Sequence, residues 1–541
     1  MSIECYPMTV LPGVSPLFRD YLAMGVESPL HNWYGAAPFS MGWMDPAPRR
    51  DHSDALADLL EQQNRAFGAG VAASENIRKL RAGARAVVTG QQVVLFGGPL
   101  LTLLKAATAI ARAKTATTAT GVEHVPVFWM ATEDHDLAEV DQVALLTKTS
   151  IETLHAGLQS NSAPVGGVVP GPELDTVLER TAELLGHAPV SEWLRECYRS
   201  TSGEQATLAL AFGRLMARIF SEQGLVIMDA STREFHALGA KTLRYAIEHA
   251  EDLQQVLIAR SDQLVLAGYH AQVLVTEGSS LLFLINEATG ERQALKRQSD
   301  APPEAAWKAN GRTYSTAELL AILDTAPERI SPNALLRPVF QDTILPTTAY
   351  VGGPAEVAYF AQSSAVYQAI LGRVTPILPR LSATLIEPAV AAVMDKDEVA
   401  LPAAFTTADE LAQQLGERAM PVEAKRRIEA AGDAFDRELT ALTDYLKAVD
   451  TALGQSAEAS GSKMLYQMNR LRRMASTFEL QKNASLRKHA DTLTLNLFPD
   501  GHPQERVIAG VWFMARYGDG LVERLVEVAA NQCPSHVAVR L

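Results

Sequence analysis

Three short, unbroken apolar runs constrain the fold more than any other feature of the chain: Ala86 to Thr89, Val125 to Ala131 and Leu225 to Ala230. Each is bounded by turn residues and lacks the alternation of a strand with one wet face. Each therefore reads as a strand buried on both faces of a parallel sheet. Parallel strands need a crossover connection. Between the first two runs, LLTLLKAATAIARAKTA puts Leu100, Leu103, Leu104, Ala107 and Ala111 on one helical face, with Arg112 and Lys114 toward the negative end of the helix dipole. Strand, turn, helix, strand is a doubly wound unit, and the chain reads as an α/β protein.

A chain of 541 residues exceeds one ordinary core. The strand series is interrupted near 141–205, where PVGGVVPGPELD marks a loop-rich insertion. It is interrupted again near 255–330, where GYHAQVLVTEGSSLLFLINEATGERQAL alternates strand-forming runs with GSS and ATGE turns, the pattern of a small antiparallel patch. The parallel pattern resumes after Ser331 with a strand, a second Gly-Gly-Pro turn and a helix in TAYVGGPAEVAYFAQ, and VTPILPRLSATLIEP adds one or two strands. A core over 1–390 is expected. Over 391–491 the chain changes character: Ile428, Phe435, Leu439, Leu442, Leu446, Val449 and Leu453 form one heptad stripe, and Met464, Met468, Leu471, Ala475 and Phe478 form another. With Ser456 to Ser462 read as the loop between them, the two helices make an antiparallel coiled-coil arm. TLTLNLF then reads as a strand turned by PDGH, in a segment 492–541 that returns to the core.

The excess of 62 acidic over 48 basic residues, a formal charge of -14, argues against nucleic acid and anionic membranes as partners and in favour of small molecules. No run approaches the roughly eighteen apolar residues of a membrane span, and MSIECYPMTVLPGV has no signal-peptide pattern. Cys5, Cys197 and Cys533 show no CxxC pair and no disulfide framework, as expected for a reducing cytoplasm, and read as packing residues.

Three constellations carry chemistry. In the first, VVTGQQVVLFGGPLL, the turn from Thr89 to Pro99 follows a strand. Gly97 and Gly98 precede Pro99, read as the first helical residue, so unpaired N–H groups at a helix N-terminus form an anion cradle, with Gln91 and Gln92 beside it as hydrogen-bonding partners and Gly90 counted in the same binding turn. Gly352, Gly353 and Pro354 repeat the device, with Glu356 in the first helical turn, and together they predict a two-part pocket. In the second, a buried strand runs directly into Glu133, Asp134, His135 and Asp136. Carboxylates crowded around one imidazole repel one another unless a ligand, a cation or general-base work compensates. No second histidine stands three or four residues away, so no metal is predicted there. In the third, SPNALLRPVFQD, the Arg337 fork suits a carboxylate or phosphate, with Gln341 and Asp342 nearby. Asp229 at the end of LVIMDA is a further candidate, and Lys482, Arg487, His489, His502 and Arg506 are weaker ones.

VTGQQVVLFGGPLLTLLKA, VPVFWMATEDHDLAEV, GYHAQVLVTEGS, SPNALLRPVFQD, AYVGGPAEVAYFAQ and LFPDGHPQERV occur in this order over nearly the whole chain. In these blocks the chain resembles the BshC family, the cysteine ligases of bacillithiol biosynthesis. The resemblance implies a Rossmann-like core similar to class I aminoacyl-tRNA synthetases and nucleotidyltransferases, connective insertions, and a coiled-coil domain used for homodimerisation. It implies addition of L-cysteine to glucosaminyl-malate. Amide formation from a free acid is uphill in water, so activation by ATP or another adenine nucleotide is expected, with magnesium only as the nucleotide's companion. The His-x-Gly-His motif of class I synthetases is absent after the first strand, where Gln91, Gln92, Gly97 and Gly98 stand instead. On this reading an anion sits at the Gly97-Gly98 turn, His135 with Asp134 and Asp136 handles the amine proton, and Arg337 binds a carboxylate. Two alternatives stay open: a related nucleotidyltransferase or carboxylate-amine ligase of different substrate, and a noncatalytic coiled-coil binding protein.

Overall fold

A computed structural model describes residues 3–25, 27–44, 52–160, 162–200, 203, 205–298, 302–303, 306–309, 311–518, 520–531, 533 and 535–541. The chain divides into two compact units, one of Glu4–Ala383 with Glu505–Val537 and one built on Thr384–Gln504.

The first unit holds a five-stranded parallel sheet of β1 (Arg85–Gln91), β2 (His124–Met130), β3 (Val226–Asp229), β4 (Thr347–Gly352) and β5 (Ile377–Pro379), in the order β5-β4-β1-β2-β3. The three apolar runs are β1, β2 and β3, each buried along its centre. From β1 the chain winds outward through β2 and β3, then returns to the other side of β1 as β4. The crevice where the winding reverses, beyond the carboxyl ends of β1 and β4, is where doubly wound sheets bind ligands.

Helix α1 (Leu101–Thr120) crosses from β1 to β2. Ala109, Ala113 and Ala116 pack against Val87, Ala349, Val351 and Leu378, since small side chains let the helix lie close to the strands. The expectation of one apolar face is corrected: every residue from Thr102 to Ala113 is buried, because the C-terminal helix Gly520–Ala530 covers the side away from the sheet. Arg112 is accordingly buried within the helix and is not at its end.

The insertions are more ordered than their sequences indicated. Within 141–205, Gln142–Leu146 and Ile151–His155 form a hairpin, followed by helices Glu173–Leu184 and Pro189–Tyr198. In the second insertion Ser279–Ile285 and Arg292–Arg297 pair around the ATGE turn, inside a five-stranded antiparallel sheet that also holds Ile330–Pro332. The run before Ser279 is not a strand. The same unit contains α2 (Arg233–Glu248), α3 (Arg337–Ile344) and α4 (Pro354–Leu371).

The cysteine reading is also corrected. Cys5 and Cys533 form a disulfide with Cα atoms 6.2 Å apart, across a sequence separation of 528 that hides the pairing from local patterns. Cys197 is a buried thiol whose pKa is pushed up to about 11 by burial, which keeps it unreactive.

The second unit carries the arm, α5 (Val422–Val449) against α6 (Thr451–Lys482). The turn is not at Ser456 to Ser462. It lies at Asp450, whose side chain accepts from the Leu453 N–H at 2.9 Å and caps α6. The glycine-serine run is helical, and Gly461 faces Leu439 so closely that a Cβ would stand 2.8 Å from it, so the glycine serves close helix packing. TLTLNLF is likewise not a strand but the end of α7 (Ala484–Leu497). Leu486, Ala490, Leu493, Thr494 and Leu497 form its buried stripe at helical period, and the alternation of the three leucines at 493, 495 and 497 conceals it. Among the described residues no helix is long and apolar enough to cross a membrane.

Candidate functional site

A cavity of about 690 Å³ opens beyond the carboxyl end of the parallel sheet, and all five strands contribute to it. Gly90 to Gln92 leave β1, Met130 to His135 leave β2, Ala230 and Ser231 follow β3, Gly353 to Glu356 follow β4, and Arg380 follows β5. The volume lies within the range of roughly 300–1,000 Å³ typical of small-molecule sites.

One wall is acidic. Glu133 accepts from or shares a proton with the fully buried His236, with Nε2 2.8 Å from its Oε1. Gln92 Nε2 donates to Asp134 Oδ2 at 2.6 Å, and the His135 N–H donates to Asp134 Oδ1 at 2.7 Å. The His135 ring lies with Nδ1 3.6 Å from Asp134 Oδ1 and 3.4 Å from Arg292 Nη1. Arg292 is fixed by Ser331 Oγ at 2.9 Å and the Pro332 carbonyl at 3.0 Å, with its guanidinium 3.7 Å from the centre of the Phe283 ring. Burial raises the Glu139 carboxyl above its ordinary value against a hydrogen bond from Gln92, and the Asp134 and Asp136 charges add to the rise.

The other wall is basic. Lys105, one turn into the mainly apolar helix α1, donates to the Gly90 carbonyl at 2.7 Å and Gln91 Oε1 at 2.9 Å, and pairs with Glu356 Oε2 at 2.5 Å. Burial alone would raise the Glu356 carboxyl, but Lys105, the Gly353 N–H at 2.7 Å and the Tyr350 hydroxyl at 2.7 Å hold it below its usual range. Arg337 donates to the Tyr359 hydroxyl at 2.8 Å and approaches Gln341 Oε1 at 3.5 Å, so its hydrogen-bond partners among the described residues are neutral. Burial opposes its charge, yet the Tyr359 and Tyr350 oxygens and Glu356 outweigh it and keep it firmly protonated. Arg380 and Arg506 complete this wall.

The structure thus gathers Gly90, Gln91, Gln92, Glu133, Asp134, His135, Arg337, Gly353, Pro354 and Glu356 around one space. Other candidates lie elsewhere. Thr89 donates to the Val351 carbonyl at 2.9 Å inside the sheet. Gln341 and Asp342 are buried, Asp342 taking the Tyr367 hydroxyl at 2.8 Å and the Gln341 amide at 3.1 Å. Asp229 accepts from the Thr132 hydroxyl at 2.5 Å and the Ser231 N–H at 3.0 Å, and burial raises its pKa despite both. Asp136 is exposed and caps the short helix Leu137–Val140. Gly352 is packed so tightly on Ile377 that a Cβ would meet it at 2.8 Å.

The reading of Gly97, Gly98 and Pro99 as an open cradle is corrected. The helix begins at Leu101, and Pro99 pairs instead with Ala509. The Phe96 N–H donates to the buried Tyr198 hydroxyl at 2.9 Å, the Leu100 N–H to the Ile508 carbonyl at 2.9 Å, and Gly510 N to Gly98 O at 3.0 Å. With these groups partnered by the protein itself, the turn anchors the C-terminal segment and lies outside the cavity lining. The second Gly-Gly-Pro does start a helix at Pro354. Sequence reasoning passed over Lys105, His236, Arg292, Tyr350, Tyr359 and Arg380. A lone lysine in LLTLLKAATAIA and a lone arginine between the apolar runs of PILPRLSATLI were signals available for two of them.

Arg380 is held by a buried network, its Nη2 2.6 Å from Glu505 Oε1. Glu505 also accepts from the Ala383 N–H at 2.7 Å and the Ser382 hydroxyl at 3.2 Å, and Ser382 in turn lies 2.9 Å from His536 Nδ1. Burial, with Arg380 assisting and Glu505 opposing, pushes the His536 pKa down to about 4. The unfolded chain therefore binds a proton that the folded chain refuses between pH ~6.5 and about 4. The stability from this group is complete above the unfolded value and falls as the pH drops through that window, by about 3 kcal/mol. Urea midpoints at successive pH values should show that loss in the wild type and a reduced slope in His536→Phe.

A cavity at the reversal point of a parallel Rossmann-like sheet, with apposed acidic and basic walls, places the chain among α/β proteins built as small-molecule enzymes. Residues 1–381 match the family model described as bacillithiol biosynthesis BshC, N-terminal Rossmann-like domain, and residues 383–541 match the C-terminal coiled-coil domain of the same family. A protein from Koribacter versatilis named "Putative cysteine ligase BshC" is 41% identical, with 100% of each chain covered. Proteins of the same name from Solibacter usitatus and Salinibacter ruber are each 33% identical, covering 99% of both chains and 91% of this chain with 90% of the relative, respectively. The chain belongs to the BshC family of ligases.

Proposed function

We propose that this enzyme joins L-cysteine to glucosaminyl-malate through an amide bond, in the last step of bacillithiol biosynthesis, after ATP-driven activation of the cysteine carboxylate. The observation that carries the reading is the division of the cavity between Glu133, Asp134 and His135 on one wall and Arg337, Arg506 and Lys105 on the other. One substrate brings an amine that must lose a proton, while malate, cysteine and nucleotide bring anions. The two walls suit those two tasks. Arg337, which has only neutral hydrogen-bond partners among the described residues, and Arg506 supply cationic charge for carboxylate or phosphate. The nucleotide supplies the leaving group that makes the carboxyl carbon electrophilic, and magnesium would travel with it. His135, poised by Asp134, takes the proton released as the amine nitrogen bonds to that carbon. Asp136, committed to its helix cap, contributes charge only from outside.

The cytoplasm is the compartment this reading requires. A homodimer would be formed through the arm, where Leu442, Tyr445, Met464, Leu471, Met474 and Phe478 stand exposed, an apolar stripe that a second copy would cover.

The test is to incubate the protein with cysteine, glucosaminyl-malate and ATP and to follow bacillithiol, AMP and ADP by mass spectrometry. Product dependent on nucleotide supports the reading; product without nucleotide overturns the activation step, and no product overturns the assignment. His135→Ala is expected to abolish ligation and to leave the melting temperature unchanged, because the His135 side chain is 42% exposed. Normal turnover in this variant would remove His135 from the mechanism.

A further inference from the structure

The His236–Glu133 contact has no part in the proton transfer proposed above. His236 lies on α2, completely buried, with its ring 5.2 Å from that of Phe340 on α3. Glu133 stands where β2 enters the cavity, its side chain 15% exposed. One of its oxygens, Oε1, is 2.8 Å from His236 Nε2, and Oε2 takes no hydrogen bond among the described residues. A glutamate beside a cavity would ordinarily sample several rotamers. Here the imidazole pins one oxygen from behind, from a helix that packs against α3 and so against the opposite end of the site. The remaining oxygen is left as an acceptor at a defined place.

We propose that His236 is a positioning residue that holds Glu133 so that its second carboxylate oxygen receives the primary ammonium group of a bound substrate. This rests on the ligase reading for the identity of the substrates, both of which carry such a group, but not for the existence of the ammonium site. The surroundings support a cation there. Asp134 adds negative charge on the same wall, and the Arg292 guanidinium donates to Ser331 Oγ and the Pro332 carbonyl, leaving Glu133 Oε2 unclaimed by it. An ammonium carries three donors, one of which a carboxylate fixed by one oxygen can meet with the other in a charge-assisted hydrogen bond. Removing the histidine leaves the glutamate in place with its aim lost, so the deficit should fall on binding of the amine-bearing substrate more than on turnover.

The experiment compares wild type with His236→Leu, His236→Gln and Glu133→Gln in steady-state ligation, varying cysteine and glucosaminyl-malate separately. Glutamine at 236 keeps an N–H donor for Glu133 and is the conservative rescue. His236→Leu and Glu133→Gln are expected to raise KM for one of the two substrates about 10- to 100-fold, the loss of one charge-assisted hydrogen bond, with kcat changed much less and His236→Gln near wild type. Unchanged KM values, or an equal rise for both substrates, would overturn the proposal. If His236→Leu fails to fold, judged by its melting curve, the pair His236→Gln and Glu133→Gln still decides: the proposal needs the second to be impaired and the first not. Calorimetric titration with D-glucosamine separates this from the ligase reading. Should the wild type form no bacillithiol, weaker glucosamine binding by Glu133→Gln and His236→Leu than by wild type still sustains the ammonium site. Equal binding, or none by the wild type, sinks it.

Discussion

Replacing Glu505 by leucine is expected to destabilise the first unit by about 3–5 kcal/mol, the usual cost of stripping one member from a buried ion pair. The pair it forms with Arg380 is nearly sealed, with side-chain exposures of 4% and 2%, so the guanidinium would be left largely desolvated on the side where the carboxylate stood. The Ala383 N–H and Ser382 hydroxyl lose their acceptor as well. The sign of the pH dependence follows from the direction of the shift. Burial raises the Glu505 carboxyl, but Arg380, His536 and the Ala383 N–H together bring it below its ordinary value. Its contribution is therefore full above the unfolded carboxyl pKa of ~4.3 and is lost as the pH falls through the lower folded value. Urea unfolding at pH 7 measures the effect. Removing both charges, Glu505→Leu with Arg380→Met, should recover most of the loss, and a single replacement costing under about 1 kcal/mol would show that the pair behaves as a solvated one. By contrast, Arg180→Ala breaks the exposed pair with Glu152 and should leave the urea midpoint almost unchanged.

The second large effect is on activity. Arg337→Met is expected to lower kcat/KM about a hundred- to a thousandfold, equivalent to about 3–4 kcal/mol, since truncating one partner of a desolvated charge pair typically costs about 2–5 kcal/mol. The methionine retains the volume of the stem and loses the fork. Arg337→Lys should recover little, because an ammonium cannot reproduce the planar two-pronged geometry that the Tyr359 hydroxyl and Gln341 orient. Near-normal kcat/KM in Arg337→Met, with an unchanged melting temperature, would remove Arg337 from substrate binding.

What the sequence made legible was set by the range of the physics involved. The parallel strands could be read because burial on both faces leaves a local mark, a short apolar run, and β1, β2 and β3 carry it. The arm was legible from its heptads, but its turn was not. Asp450 caps α6 with a single side chain, whereas Gly461, which looks like a loop residue, answers to Leu439 on the facing helix. The same gap between local and tertiary information governs the site. Glu133, Asp134 and His135 stood out because charges following a buried strand are conspicuous in one dimension. Lys105 and His236 did not, since each is explained only by a partner, Glu356 or Glu133, that the fold delivers from a distant segment. Gly97 and Gly98 show the converse: a sequence suited to an open helix N-terminus is closed by Tyr198 and by Ile508 to Gly510.

That closure bears on how the chain comes off the ribosome. Trp512 Nε1 donates to the Leu146 carbonyl across 366 residues, and Glu505 meets Arg380 across 125. The sheet and α1 are synthesised long before the segment that covers the start of that helix and seats an arginine of the cavity. Contacts of such long range are slow to close, and a chain partly emerged holds an uncovered apolar helix until they do. The nascent protein therefore passes through a prolonged stage in which its parallel sheet is made but unsealed, and it is in that stage that chaperones and proteases have their chance at it.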